Sequence, residues 1–97
     1  MATAERTVVF GSAVGMHARP AATVAKAAAD SGQKVTIENS AGKKANAASV
    51  LFLLALGVNH GDAVKLTVEG ERADEDADTL AELMASELDA EGQSATP

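Results

Sequence analysis

Pro20 constrains the fold of this chain more than any other residue, because proline is admitted to a helix only in its first turn and an alanine-rich stretch follows it. The helix therefore begins within Gly15-Met16-His17-Ala18-Arg19-Pro20-Ala21, with His17 as N-cap and the proline at the third helical position, where its missing N–H costs nothing. The unpartnered N–H groups of such a start, together with the positive end of the helix dipole, favour an anion by roughly 0.3 to 2 kcal/mol per unit charge. Imidazole is a nitrogen nucleophile, largely neutral near pH 7, that can accept a phosphoryl group and pass it on without a cofactor. Arg19 brings a planar cation whose fork of donors matches phosphate oxygens, and Gly15 permits a turn barred to other residues. A lone His-x-Arg would read as a surface histidine beside a solvated arginine; here its position at a helix start points to phosphate chemistry.

The hydrophobic periods on either side set the remaining elements. Residues 6–10 alternate as a strand with Val8 and Phe10 inward, and residues 18–30 repeat as a helix with Ala21, Val24, Ala25 and Ala28 on one face, ended by Ser31-Gly32. Residues 34–38 form a strand with Val35 and Ile37 inward; after the turn residues Ser40-Ala41-Gly42, residues 43–47 form a weaker one, placed at the sheet edge by its lysines. Ser49 caps a short helix to residue 56, closed by Gly57 and apolar all round, so that part of its apolar surface must remain exposed. Asn59-His60-Gly61-Asp62 is a turn, and residues 63–68 are a strand with Val64, Leu66 and Val68 inward. A final helix over 74–88 lines up Ala77, Leu80, Ala81, Met84 and Leu88, with Asp74, Glu75 and Asp76 at its positive end. The order β-α-β-β-α-β-α predicts an α+β fold in which the helices pack on one face of a four-stranded antiparallel sheet. Residues 1–90 are expected to form one domain and 91–97 a disordered tail.

Composition narrows the function. There is no cysteine, hence neither a disulfide nor a thiolate metal site, and His17 and His60 do not make a metal motif, so no metal or cofactor is expected. The N-terminus lacks a basic region followed by an apolar run, and the longest apolar run, 50–56, is far short of the ~20 residues that cross a bilayer. A soluble cytoplasmic protein without membrane insertion is the expectation. Residues 1–68 carry a net +3 and residues 69–97 a net −9, and the only aromatics are Phe10 and Phe52. An acidic chain without stacking platforms is not built for nucleic acid.

Residues 15–22, GMHARPAA, closely resemble the active-site motif of the histidine-containing phosphocarrier proteins (HPr) of the bacterial sugar phosphotransferase system. A second landmark follows in register: Asn46-Ala47-Ala48-Ser49-Val50-Leu51, then Leu56-Gly57-Val58 and Gly61-Asp62, which look like the surroundings of the family's regulatory serine. The matches span about residues 5–90. The resemblance implies an open-faced β-sandwich with three helices on one face of the sheet. It also implies that His17 accepts the phosphoryl group and Arg19 steadies it, with enzyme I, fed by phosphoenolpyruvate, as donor and sugar-specific enzyme IIA proteins as acceptors. Such a carrier, expected to be a monomer, is a substrate of enzymes and needs no cofactor. Ser49 matches the serine that an HPr kinase phosphorylates in some relatives. Ala22, Lys26, Val50, Leu51 and Leu54 are expected to form the docking surface beside His17, with Lys26 complementing an acidic partner groove. The chain departs from its relatives at Val14, where a small polar residue is usual, at Ala48, where many have a basic residue, and at Phe52, where glycine or a polar residue is common. Phe52 either packs inward or alters partner choice. The competing expectation is a regulatory protein-binding module that never uses the histidine, or a carrier of a branch such as nitrogen signalling.

Overall fold

A computed structural model describes residues 2–11 and 16–86. Its elements are β1 (Ala2–Val9), α1 (Ala18–Ser31), β2 (Lys34–Glu38), β3 (Lys44–Asn46), α2 (Val50–Ala55), β4 (Ala63–Gly70) and α3 (Ala73–Ala85). The four strands form one antiparallel sheet in the order β1-β4-β2-β3. This is the expected order of elements, with the lysine-bearing strand at an edge.

Register follows from which residues must be buried. Val8 lies opposite Val64, Val35 opposite Val68, and Ile37 between Leu66 and Ala45, so each inward row is apolar. Full burial of side chains such as Ile37, Leu66 and Leu53 stabilises by roughly 1.5 to 3 kcal/mol each. The other face carries Glu5, Glu38 and Glu69 interleaved with Lys34, Lys44 and Lys65, with ion pairs Lys65–Glu5 at 3.5 Å and Lys34–Glu69 at 3.8 Å. With only Thr, Asn, Ala63 and Val9 between these charges, it is left to solvent.

Two strands outrun the sequence expectation. β1 begins at Ala2 and not at residue 6, and β4 ends at Gly70 and not at residue 68, because Ala2 and Thr3 pair with Gly70 and Glu69 and each extension supplies the other's hydrogen-bonding partner. Within β1, Arg6 falls opposite Leu66 on the covered face, between Ala4 and Val8. Its stem lies over the sheet and its guanidinium reaches α3, donating from Nε to Asp78 Oδ1 at 2.9 Å and approaching Asp74 at 3.6 Å. The hydrogen bond to Asp78 raises the already high Arg6 pKa, so the guanidinium keeps its charge in this tie. The acidic first turn of α3 thus has a partner besides the helix dipole.

α1 buries Pro20, Ala21, Val24, Ala25 and Ala28, the small-residue face read from the sequence, and ends where Gly32 adopts a left-handed φ of 72° and returns its N–H to Ala29 O. α3 buries Ala73, Ala77, Leu80 and Met84 with Ala81 at the margin. The expected contribution of Leu88 and the expected tail over 91–97 lie outside the described residues. α2 packs between α1 and β3 and buries Leu53, with Leu56 just beyond its end.

Candidate functional site

His17 is the N-cap of α1, with extended backbone at φ −93° and ψ −177°. Its carbonyl accepts the Ala21 N–H at 2.8 Å and closes the first turn, while its imidazole is exposed and makes no capping hydrogen bond. The ring is therefore not spent on the helix it begins. Pro20 is buried at the third helical position, so the first turn offers only the amides of Ala18 and Arg19 to an incoming anion. Arg19 is exposed; its carbonyl accepts the Thr23 hydroxyl at 3.1 Å, and its guanidinium has no ion pair among the described residues.

The setting of His17 is held from a distance in sequence. Met16, its predecessor, is buried and donates its N–H to Val58 O at 2.8 Å. At the other end of the same loop, Phe10 donates to Asp62 O and accepts from Gly61, both at 2.9 Å, and the Gly11 N–H reaches Met84 O at 2.9 Å. Gly11 is packed under the end of α3 so closely that a Cβ there would fall on the Ala85 carbonyl. Nothing in the sequence around Gly11 signals that contact, since a glycine after a strand reads only as a turn. Gly15 and Val14 lie outside the described residues.

Ser49 caps α2 as expected, accepting the Phe52 N–H on Oγ at 3.3 Å, and Asn46 holds the approach by accepting the Ala48 N–H at 2.9 Å. Only Leu53 of α2 is buried; Leu51 is 73% exposed, Phe52 55%, Leu54 38% and Val50 36%. Ala22 and Lys26 are exposed on α1, which lies against α2, and Lys26 pairs with Asp30 at 3.1 Å. The docking residues expected from the sequence therefore all reach solvent on two adjacent helices, and Phe52 joins them: it does not pack into the core. His60 sits exposed in the turn that Asn59 and Asp62 close through Asn59 N–H to Asp62 Oδ2 at 2.9 Å. Among the described residues no cluster of His, Cys, Asp and Glu could hold a metal ion, and no helix is long and apolar enough to cross a membrane.

A histidine exposed at an anion-favouring helix start, beside an arginine without an ion pair among the described residues and a helix with exposed apolar side chains, suits a protein that receives and surrenders phosphoryl groups. Comparison with known proteins agrees. The family model described as PTS HPr component phosphorylation site matches residues 4–86. The phosphocarrier protein HPr of Streptomyces coelicolor is 42% identical over 86 residues, covering 89% of this chain and 92% of the relative. The phosphocarrier protein NPr of Shewanella violacea is 36% identical over 89 residues, covering 92% and 97%. The crystal structure of HPr from Bacillus anthracis matches with a TM-score of 0.81 at 30% identity, covering 87% of this chain and 99% of that one. The chain belongs to the HPr family of phosphocarrier proteins of the phosphotransferase system.

Proposed function

We propose that this protein takes a phosphoryl group on His17 from enzyme I, itself charged by phosphoenolpyruvate, and delivers it to enzyme IIA acceptors in carbohydrate uptake. The observation that carries this reading is an exposed N-cap histidine whose ring makes no cap, at a helix start with unpartnered amides. A ring nitrogen of His17 attacks phosphorus; the N–P bond forms as the bond to the donor breaks, and the same events in reverse pass the group on. Negative charge on the transferring oxygens faces the Ala18 and Arg19 amides and the Arg19 guanidinium. Incubation with phosphoenolpyruvate and enzyme I gives one acid-labile, base-stable phosphate per chain; absence of that adduct rejects the carrier in favour of a regulatory module. The likeness to NPr supports a second reading, in which the acceptor belongs to a branch not coupled to sugar uptake, such as nitrogen signalling. The acceptor that removes the phosphate from the labelled carrier discriminates the two.

Docking falls to Ala22, Lys26, Val50, Leu51 and Leu54. Because Leu51 is 73% exposed, Leu51→Ala is expected to weaken binding to enzyme I by about 1 kcal/mol or more while shifting stability by no more than about 0.5 kcal/mol. Titration calorimetry and thermal melts measure the two, and a variant that unfolds with unchanged affinity per folded molecule would return Leu51 to the core.

Ser49 is proposed as a regulatory phosphorylation site, the substrate of an HPr kinase. A dianion at the cap of α2 is compatible with the helix start, yet it lies beside Val50 and Leu51, which a partner must desolvate. Ser49→Asp is expected to hold stability within ~1 kcal/mol while slowing phosphorylation of His17 by enzyme I. An unslowed rate, measured by rapid quench, rules the switch out.

A further inference from the structure

A sheet in the order β1-β4-β2-β3 has two outer edges, and they are protected differently. β3 is three residues long, carries Lys44 and gives its Asn46 carbonyl to the Ser49 N–H at 3.1 Å, so little of it is open to another strand. β1 is eight residues long, pairs with β4 at every position without a bulge, and contains neither proline nor lysine. Phe10, just beyond β1, turns both its N–H and its carbonyl towards Asp62 and Gly61 ahead of β4. Alternation along the strand therefore points the backbone groups of Thr3, Glu5, Thr7 and Val9 away from the sheet. Among the described residues one of these groups has a partner, the Glu5 carbonyl, which accepts from Arg6 Nη1 at 2.9 Å. Arg6 is also the one charge that β1 turns to the covered side, in the row Ala4, Arg6 and Val8. Its side chain is 33% exposed, and besides Glu5 O its guanidinium serves Asp78 Oδ1 at 2.9 Å and Asp74 Oδ1 at 3.6 Å.

We propose that Arg6 is a guard on the outer edge of β1, which keeps that edge closed to the β1 strand of a second copy of this chain. A second copy is the occupant to be excluded because an edge with alternating donors and acceptors complements itself when two copies run antiparallel about a two-fold axis. Centred on Arg6, such a pair sets Thr3 opposite Val9 and Glu5 opposite Thr7, with no like charges opposed on the open face. On the covered face it sets Ala4 opposite Val8, an apolar match, and Arg6 opposite Arg6, which is repulsive. Pairing would also strip each guanidinium of the water that still reaches it, and would take the Glu5 carbonyl from Arg6 Nη1. An aliphatic residue in the same row would carry neither cost. The guard acts on association and leaves the phosphoryl site untouched.

The test is sedimentation velocity over a concentration series at about 0.5 M salt, which screens the acidic α3 helices of two copies from each other. The native chain is expected to remain a monomer. Arg6→Val is expected to dimerise at least about tenfold more strongly. Arg6→Gln, which keeps a donor for Asp78 but no charge, is expected to behave likewise, and it decides alone if circular dichroism shows Arg6→Val unfolded. In the dimers the Thr7 and Val9 N–H groups should exchange with deuterium at least about tenfold more slowly than in the native chain. Thr7→Pro added to the dimerising variant removes one outward N–H without touching the bonds to β4, and is expected to restore the monomer. A folded uncharged variant that stays monomeric overturns the proposal. Association that leaves the Thr7 and Val9 amides unprotected, or that survives Thr7→Pro, lies elsewhere on the molecule and overturns it as well. A native chain that dimerises through these amides shows that Arg6 does not guard the edge. A native monomer in which they are already protected shows an edge covered by the chain itself, and likewise ends the proposal.

Discussion

His17→Ala is expected to take up no phosphate from enzyme I and phosphoenolpyruvate, while its thermal unfolding midpoint stays within about 4 °C of the native value. The first half follows because the proposed covalent intermediate cannot form without the ring nitrogen, and the helix start stabilises an anion but supplies no nucleophile. The second half follows because the imidazole is exposed and makes no capping hydrogen bond, and the turn is closed by the His17 carbonyl, which alanine retains. His60→Ala, by contrast, is expected to keep the full stoichiometry of label. Folded His17→Ala that still carries acid-labile phosphate would place the acceptor elsewhere and end the present assignment.

Gly11→Ala is expected to be the more damaging change to the fold. A methyl group at this position meets the Ala85 carbonyl and the Ser86 oxygen, both backbone atoms that no side-chain rotation can move aside. Either the end of α3 lifts or the start of the loop shifts, and the Gly11 N–H to Met84 O bond is strained in both cases. Overpacking of this kind costs typically 1 to 3 kcal/mol, which for a domain of this size lowers the midpoint by on the order of 10 °C. Because the same loop carries Met16 and His17, phosphorylation should slow as well. Gly32→Ala is a useful contrast: no atom lies within 4 Å of its added carbon, so it meets only the left-handed backbone penalty of about 1 kcal/mol. A midpoint for Gly11→Ala equal to that of the native chain would show that α3 does not press on the loop.

What the sequence disclosed and what it withheld divide along sequence separation. The start of α1 was legible because Pro20 and Gly32 punctuate it locally, β2 because Lys34–Glu38 alternates without interruption, and the cap of α2 because Ser49 precedes an apolar run. The beginning of β1 was not, since Ala-Thr-Ala carries no period and becomes a strand only through Gly70 and Glu69. Arg6, placed from the sequence only at the start of the first strand, crosses to Asp78, 72 residues away. The same holds at the candidate site. His17 and Arg19 stand out from their immediate neighbours, but the backbone bonds that hold Phe10, Gly11 and Met16 come from three later segments that no local pattern ties to them.

Those bonds bear on how the protein is made. The histidine leaves the ribosome early, yet its loop is secured by Val58, Gly61 and Asp62 and finally by Met84, near the end of the last helix. A nascent or truncated chain ending at Gly70 therefore holds His17 without its complete mounting. The mounting of the proposed acceptor is complete only once the last helix has been made and docked, so phosphoryl acceptance is expected to come late in synthesis.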